Sequence, residues 1–297
     1  MIARVPASTA NIGPGFDTLA LAVSLYLEVE SEPSSSFQVT AHGYGHDSHV
    51  GQDHLGARVA EYVLGHSNVH LPVRSQIPLG RGLGSSAAFV AACAAALEAE
   101  DPFQVACHFD GHPENAAASV FGGFVTATRI GDRFVSTNLL LDPELSLVAV
   151  IPDRELATKS ARGVLPDKIP FTDASFNLGR FGLLVAGFAD IDNLRREATE
   201  DRLHQDYRKA LFPESSFLIE ALVAAGSICA CWSGAGPTMV GFCRKDDIEA
   251  VASKANTLLS SKESGYSVKA LEVDNRGLVT SMSYRSGFEP LEVASLL

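Results

Sequence analysis

Residues Arg81 to Phe89, RGLGSSAAF, bring together the ingredients of an anion cradle. Gly82 and Gly84 can take backbone angles closed to other residues, so successive N–H groups can converge on one point. A helix starting near Ser85 would add its free N-terminal donors and the positive end of its dipole. That combination holds a phosphate without the lysine of a G-x-x-x-x-G-K-[ST] loop. The hydroxyls of Ser85 and Ser86 could cap the helix or ligate a magnesium ion. Taken alone, the segment fits a tight strand-to-helix turn with a serine cap equally well.

Two further glycine loops accompany it, PASTANIGPGFD from Pro6 to Asp17 and WSGAGPT from Trp232 to Thr238. Arginines suit a carboxylate partner because their fork makes two parallel hydrogen bonds, although the plain reading of any one arginine is a surface ion pair of small energy. His42, His46, His49 and His54 cluster with Asp47 and Asp53 in a glycine-rich stretch. Their spacing matches no zinc motif, and a flexible loop must be ordered before it can ligate, so an exposed loop is the favoured reading. The five cysteines form no C-x-x-C and read as reduced, buried thiols.

Positioning these groups requires alternating strands and helices. Ile2–Ala10 reads as a strand broken by Asn11-Ile-Gly-Pro-Gly15, and the apolar stretch Asp17–Tyr26 leads into a second strand ending near Glu30. Further strands are expected at Phe37–Ala41, Val73–Ile77, Val125–Arg129, Leu145–Ile151, Ile228–Cys231, Thr238–Cys243 and Ser267–Val273. Helical spacing or composition marks His54–Gly65, Ser86–Ala99, Pro102–Phe109, Ala174–Phe188, Asp192–Leu211, Pro213–Ala225 and Asp246–Ser260. Gly111–Asn115 reads as a loop. This is an α+β pattern, with a domain boundary expected near residue 150, giving units 1–150 and 151–297.

The chain has 297 residues, 46% of them hydrophobic, and a formal net charge of −12. The acidic balance argues against nucleic-acid binding, which needs a basic surface. It leaves a nucleotide substrate open, since a few local donors can outweigh the global field. The longest apolar run, around Ala87 to Leu97, is too short to span a bilayer, and the N-terminus lacks a signal-peptide core. A soluble, cytoplasmic protein with no membrane partner is expected.

The three loops together resemble the GHMP kinase superfamily, whose middle motif P-x-x-x-G-L-G-S-S-A-A is met throughout by Pro78–Ala88. Within it the chain is most similar to the homoserine kinases. The S-x-A-N-x-G-x-G-F-D form of the first loop, Gly111-His-Pro-Glu-Asn-Ala-Ala117, Leu156–Pro166 and Asp201–Arg208 carry the similarity over nearly the whole length. The resemblance implies a two-domain fold, with an N-terminal ribosomal S5 domain 2-like unit and a C-terminal ferredoxin-like unit. It also implies phosphoryl transfer from ATP, with Mg²⁺, to the hydroxyl of L-homoserine in threonine biosynthesis, and a homodimer by analogy with relatives.

Carried over residue by residue, the resemblance assigns ATP to Pro78, Gly80, Arg81, Gly82, Leu83, Gly84, Ser85, Ser86, Gly234 and Gly236. It assigns homoserine to Asn11, Asp17, His112, Asn115, Thr158, Arg162 and Arg208, with Glu114, Asn11 and Arg208 as catalytic groups. Ser86 and Gln104 are the implied metal ligands. Two positions depart from the pattern: Glu114 stands where the family has aspartate, and Gln104 where some relatives carry a glutamate. A neutral amide is a weaker partner for Mg²⁺ than a carboxylate. The alternatives are another small-molecule kinase of this superfamily, or a catalytically silent binding protein on the same scaffold.

Overall fold

A computed structural model describes residues 1–45, 53–260, 265–283 and 289–293. Strands β1 (Ile2–Ala10) and β2 (Leu19–Glu30) are buried along almost their whole length and pair antiparallel. Their register shifts between Pro6 and Ala7, where proline has no N–H to give the ladder. After β3 (Glu32–Pro33) and β4 (Gln38–Gly43), helix α1 (Leu55–Leu64) crosses to β5 (Val69–Ser75), which pairs parallel to β4. Three helices follow: α2 (Ser85–Ala96), α3 (Pro102–Asp110) and α4 (Pro113–Phe121). The hairpin β6 (Phe124–Ile130) and β7 (Arg133–Asn138) joins the sheet through β2.

Alanine decides where α2 can sit. Its residues from Ala87 to Ala96 are buried with the exception of Phe89, which is partly covered. Small side chains let it lie against β1 and β2 with α3 and α4 beside it. A helix apolar on every side belongs inside a core, so the N-terminus of α2, and with it the glycine loop, is held by the most buried part of the molecule.

The second layer begins with β8 (Leu145–Pro152), followed by α5 (Thr158–Gly163), α6 (Phe171–Ala189), α7 (Gln205–Arg208) and α8 (Ser215–Ala225). Then come β9 (Cys229–Trp232), β10 (Met239–Arg244), α9 (Ile248–Leu259), β11 (Tyr266–Leu271) and β12 (Val279–Ser281). The second sheet is antiparallel in the order β11-β8-β10-β9, with its fourth strand beside its first, as in a ferredoxin-like unit. Strand β12 returns to the first sheet and pairs with β1, Ile2 opposite Ser281. The expected boundary at 150/151 therefore falls inside β8, a strand of the second sheet.

Local structure departs from expectation in a few places. The expected helix Asp192–Leu211 is two 3-10 turns, Ile191–Asn193 and Arg196–Thr199, and the four-residue α7. The Asp201 carboxylate accepts from the backbone N–H groups of Leu203, His204 and Gln205 at 2.9, 2.8 and 2.7 Å, a local alternative to helix bonding. Residues Pro113–Asn115, read as loop, are the first turn of α4, where proline at the N-terminus is favourable. Strands β3, β7 and β12 and helix α5 lie outside the elements that the sequence predicts.

Candidate active site

The first helical bond of α2 runs from the Ala88 N–H to the Gly84 carbonyl at 3.0 Å, so the helix leaves the amides of Ser85, Ser86 and Ala87 unpaired. Gly84 is the N-cap, with φ of 68°, and no side chain caps the helix. That removes the serine-capped turn as an account of the loop. A Cβ on Gly84 would lie 2.1 Å from Ser8 Oγ, and one on Gly82 2.2 Å from the Ser233 carbonyl. Both glycines are thus required by positive φ and by close neighbours. The third loop seals this packing: Ser233 Oγ donates to the Gly82 carbonyl at 2.7 Å, and the Gly234 N–H to the Ala10 carbonyl at 2.7 Å.

Opposite the cradle lie the arginines. Arg208 is only 1% exposed. Its Nη1 donates to the Gly234 carbonyl at 2.8 Å and lies 3.0 Å from His204 Nδ1, while Nε donates to the Ala161 carbonyl at 3.3 Å. Among the described residues Nη2 has no protein partner. Burial, helped by Arg162, lowers the guanidinium pKa to about 10, which leaves it charged at neutral pH. His204, whose pKa burial lowers to about 4, is neutral. With Nδ1 facing Arg208 and Nε2 2.7 Å from the Gly13 carbonyl, its proton belongs on Nε2, and the ring ties the first loop to Arg208. Arg162 forms a two-pronged pair with the Asp17 carboxylate, one contact at 3.0 Å. Both guanidinium groups lie over the Phe16 ring, at 5.3 and 5.6 Å from its centroid, an arrangement that offsets part of their mutual repulsion.

One cleft of about 250 Å³ joins the two halves. Of the residues expected from sequence, Asn11, Gly80, Gly82, Gly84, Ser85, Ser86, His112, Glu114, Asn115, Thr158, Arg162, Arg208 and Gly234 line it. Asp17 reaches the cleft through Arg162, and its N–H donates to Asn11 Oδ1 at 2.7 Å. Leu83 is buried, with its carbonyl taken by the Ser8 N–H at 3.2 Å, and Pro78 and Gly236 do not line the cleft. Gly236 packs against the Trp232 ring behind the third loop. The Arg81 side chain points elsewhere, onto the backbone at Pro152 and Asp153.

Gln104 requires a correction. Its Nε2 donates to the Phe134 carbonyl at 2.7 Å and its Oε1 accepts from the Phe134 N–H at 3.1 Å. Both ends of the amide are spent bracing β7, away from the cleft. The carboxylate that shares the cleft lining with Ser86 is Asp110, and the Ser86 hydroxyl favours its ionised form. Burial pushes its pKa up to about 6, against the pull of Ser86 and Arg162. Two hard oxygens facing one cleft are donor chemistry that Mg²⁺ accepts. One signal in the sequence pointed there: an acidic residue on the last turn of α3 opposes the helix dipole, a placement that stability alone disfavours.

Among the described residues no cluster of three metal-ligating side chains occurs. His54 caps α1, its Nδ1 accepting from the Gly56 N–H at 3.0 Å, while His46, His49 and Asp47 lie outside the described residues. All five cysteines are buried and unpaired by disulfides.

Glu114 is 1% exposed, and its Oε2 has no hydrogen-bond partner among the described residues. Burial first, then Asp17 and Asp110, push its pKa from 4.5 up to about 8. The folded protein therefore holds this proton more tightly than the unfolded chain. The resulting stabilisation is complete below about pH 4.5 and is lost as pH rises through 8. Glu114→Gln should raise the urea midpoint at pH 8.5, with the gain shrinking toward pH 5. A difference independent of pH would show that Glu114 is not its source.

A second cavity of about 280 Å³ opens beside the cradle and shares Ser85 and Ser86 with the cleft. Its walls include Leu27, Val39, Leu55, Val73 and Phe89. These side chains come from β2, β4, α1, β5 and α2, so no single stretch of sequence announces the cavity.

The model of the GHMP kinases N terminal domain matches residues 54–123, and that of the GHMP kinases C terminal region matches 184–260. The chain is 37% identical over 259 residues to a homoserine kinase of Moorella thermoacetica, spanning 82% of this chain and 87% of that one. It is 41% identical over 267 residues to a homoserine kinase of Rhodococcus erythropolis, spanning 81% and 85%. The crystal structure of homoserine kinase from Cytophaga hutchinsonii shares its fold, with a TM-score of 0.81 at 24% identity over 94% of this chain and 96% of the other.

Proposed function

Because the chain belongs to the homoserine kinases of the GHMP family, we propose that it transfers the γ-phosphoryl group of ATP to the hydroxyl of L-homoserine, giving ADP and O-phospho-L-homoserine on the route to threonine. One observation carries the residue assignment: a single cleft is lined both by the glycine–serine cradle and by Arg162 and Arg208. A phosphate donor and a carboxylate-bearing acceptor can meet there.

The triphosphate lies over Gly82–Ser86, held by the amides of Ser85, Ser86 and Ala87 and by the α2 dipole. The adenine occupies the apolar cavity that shares Ser85 and Ser86. Homoserine is a zwitterion, and the Asp17–Arg162 pair supplies the counter-charge for both of its ends. Its carboxylate takes the free Nη2 of Arg208 and part of the Arg162 fork, and its ammonium turns to Asp17. Pairing these two residues before substrate arrives avoids leaving an isolated charge in the cleft.

The hydroxyl attacks the γ-phosphorus in line, and its proton passes to Glu114 in the ionised form of that carboxyl, whose share grows as pH rises toward 8. Most of the acceleration in phosphoryl transfer comes from positioning and charge stabilisation. Ser86 and Asp110 are the residues that would hold Mg²⁺, which when bound neutralises charge on the β- and γ-phosphates. The reading includes a cytoplasmic enzyme assembled from two copies, and no nucleic-acid partner. Among the described residues no helix is long and apolar enough to cross a membrane.

An ADP-release assay with homoserine, mevalonate and sugars as acceptors tests the assignment. Homoserine is expected to give turnover well above the others. Turnover with another alcohol and none with homoserine would refute the substrate, and no turnover with any acceptor would favour a silent binding protein.

A further inference from the structure

Arg81 stands in the phosphate loop, yet its guanidinium is spent elsewhere. Nε donates to the Pro152 carbonyl at 2.9 Å, Nη1 to the Leu79 carbonyl at 2.6 Å and to Glu155 Oε1 at 3.2 Å, and Nη2 to the Asp153 carbonyl. The backbone repeats the attachment: the Leu156 N–H donates to the Gly80 carbonyl at 2.9 Å. A Cβ on Gly80 would lie 3.3 Å from the Glu155 Cβ. Residues 79–81 and 152–156 are thus strapped together.

What lies at each end of the strap gives it meaning. Gly82 follows Arg81 directly and begins the cradle. Leu156 lines the cleft, and two residues beyond it α5 begins with Thr158 and carries Arg162. Glu155 is largely exposed, with 66% of its side chain accessible, so an ion pair there is weak. The guanidinium works mainly through backbone carbonyls, whose positions it fixes. Its planar fork suits that task, and an ammonium cannot reproduce it.

We propose that Arg81 is a positioning residue that couples the nucleotide cradle to the homoserine-binding segment, so that occupation of one site tightens the other. Phosphates settling on Gly82–Ser86 fix the loop, and Arg81 passes that constraint through residues 152–156 to Thr158 and Arg162. Coupling of this kind is reciprocal. The inference rests on the kinase reading above and adds an energetic link between its two substrates.

The test is calorimetric titration of homoserine with and without a non-hydrolysable ATP analogue and Mg²⁺. In the unaltered protein the analogue should tighten homoserine binding by about five-fold or more, the lower end of ordinary coupling. In Arg81→Met that ratio should fall to about one, while the analogue alone binds within about three-fold of normal, since the cradle amides are untouched. Arg81→Lys, which keeps charge and stem but loses the fork, should retain less than half of the ratio and gives the same reading should Arg81→Met fail to fold. Two results would overturn the proposal: an analogue affinity that drops by ten-fold or more with the ratio intact, which would make Arg81 a phosphate ligand, or no coupling in the unaltered protein. Phosphohomoserine formation by the unaltered protein, followed in parallel, tests the kinase reading separately.

Discussion

Replacing Arg208 with alanine is expected to raise the homoserine KM by about 10- to 100-fold, because one buried charge-assisted contact is worth roughly 1.5–3 kcal/mol. The KM for ATP should change far less, since the cradle is made of backbone amides. The same substitution should also destabilise the fold by about 3 kcal/mol or more. It orphans the Gly234 and Ala161 carbonyls and the Nδ1 of His204 in a buried network, and an unsatisfied buried acceptor costs about 1–3 kcal/mol. Steady-state kinetics and urea unfolding on the same preparation separate the two effects. An ATP KM that rises as much as that of homoserine would contradict the role assigned to Nη2. Arg208→Lys is no conservative change here, as its ammonium cannot reach both carbonyls and a substrate carboxylate in one plane.

The second large effect concerns the metal. Asp110→Asn should lower kcat by about two to three orders of magnitude and raise the Mg²⁺ concentration needed for half-maximal rate, since charge stabilisation by a bound ion is worth several kcal/mol. Gln104→Ala should leave the Mg²⁺ dependence within about two-fold of normal and should instead loosen β7, losing about 1–2 kcal/mol of stability with its pair of bonds to Phe134. Titrating Mg²⁺ against rate for both variants decides between the two positions. A larger shift for Gln104→Ala would return the ligand to the position that the family resemblance implies.

These contrasts mark what the sequence can carry. Gly82, Gly84 and the serines were legible because they act through their own backbone, and local conformation is written locally. Asp110 and Gln104 differ in which way they face, a matter of helix rotation that motif spacing does not specify. Arg81 follows a related rule: a glycine loop predicts where its amides converge, while a long side chain between the glycines is free to leave by the other side. The Asp201–Arg208 motif is visible in the sequence, while the pattern around it predicts one long helix. Asp201 captures three backbone N–H groups there, and that short-range competition outweighs periodicity. The apolar cavity beside the cradle was out of reach, because its walls are assembled from separate strands and helices.

Pairing of β12 with β1 sets a timetable for the molecule as it is made. Strand β1 is made well before Val279–Ser281, the strand that pairs with its residues Ile2–Arg4. At about 5–20 residues per second, the synthesis from residue 11 to residue 281 takes roughly 15–55 s. Throughout that interval the Ile2–Arg4 end of β1 offers unpaired N–H and C=O groups to any passing strand. The nucleotide half is therefore encoded early and finished late, and the nascent chain is most vulnerable to mispairing while its first sheet awaits its last strand.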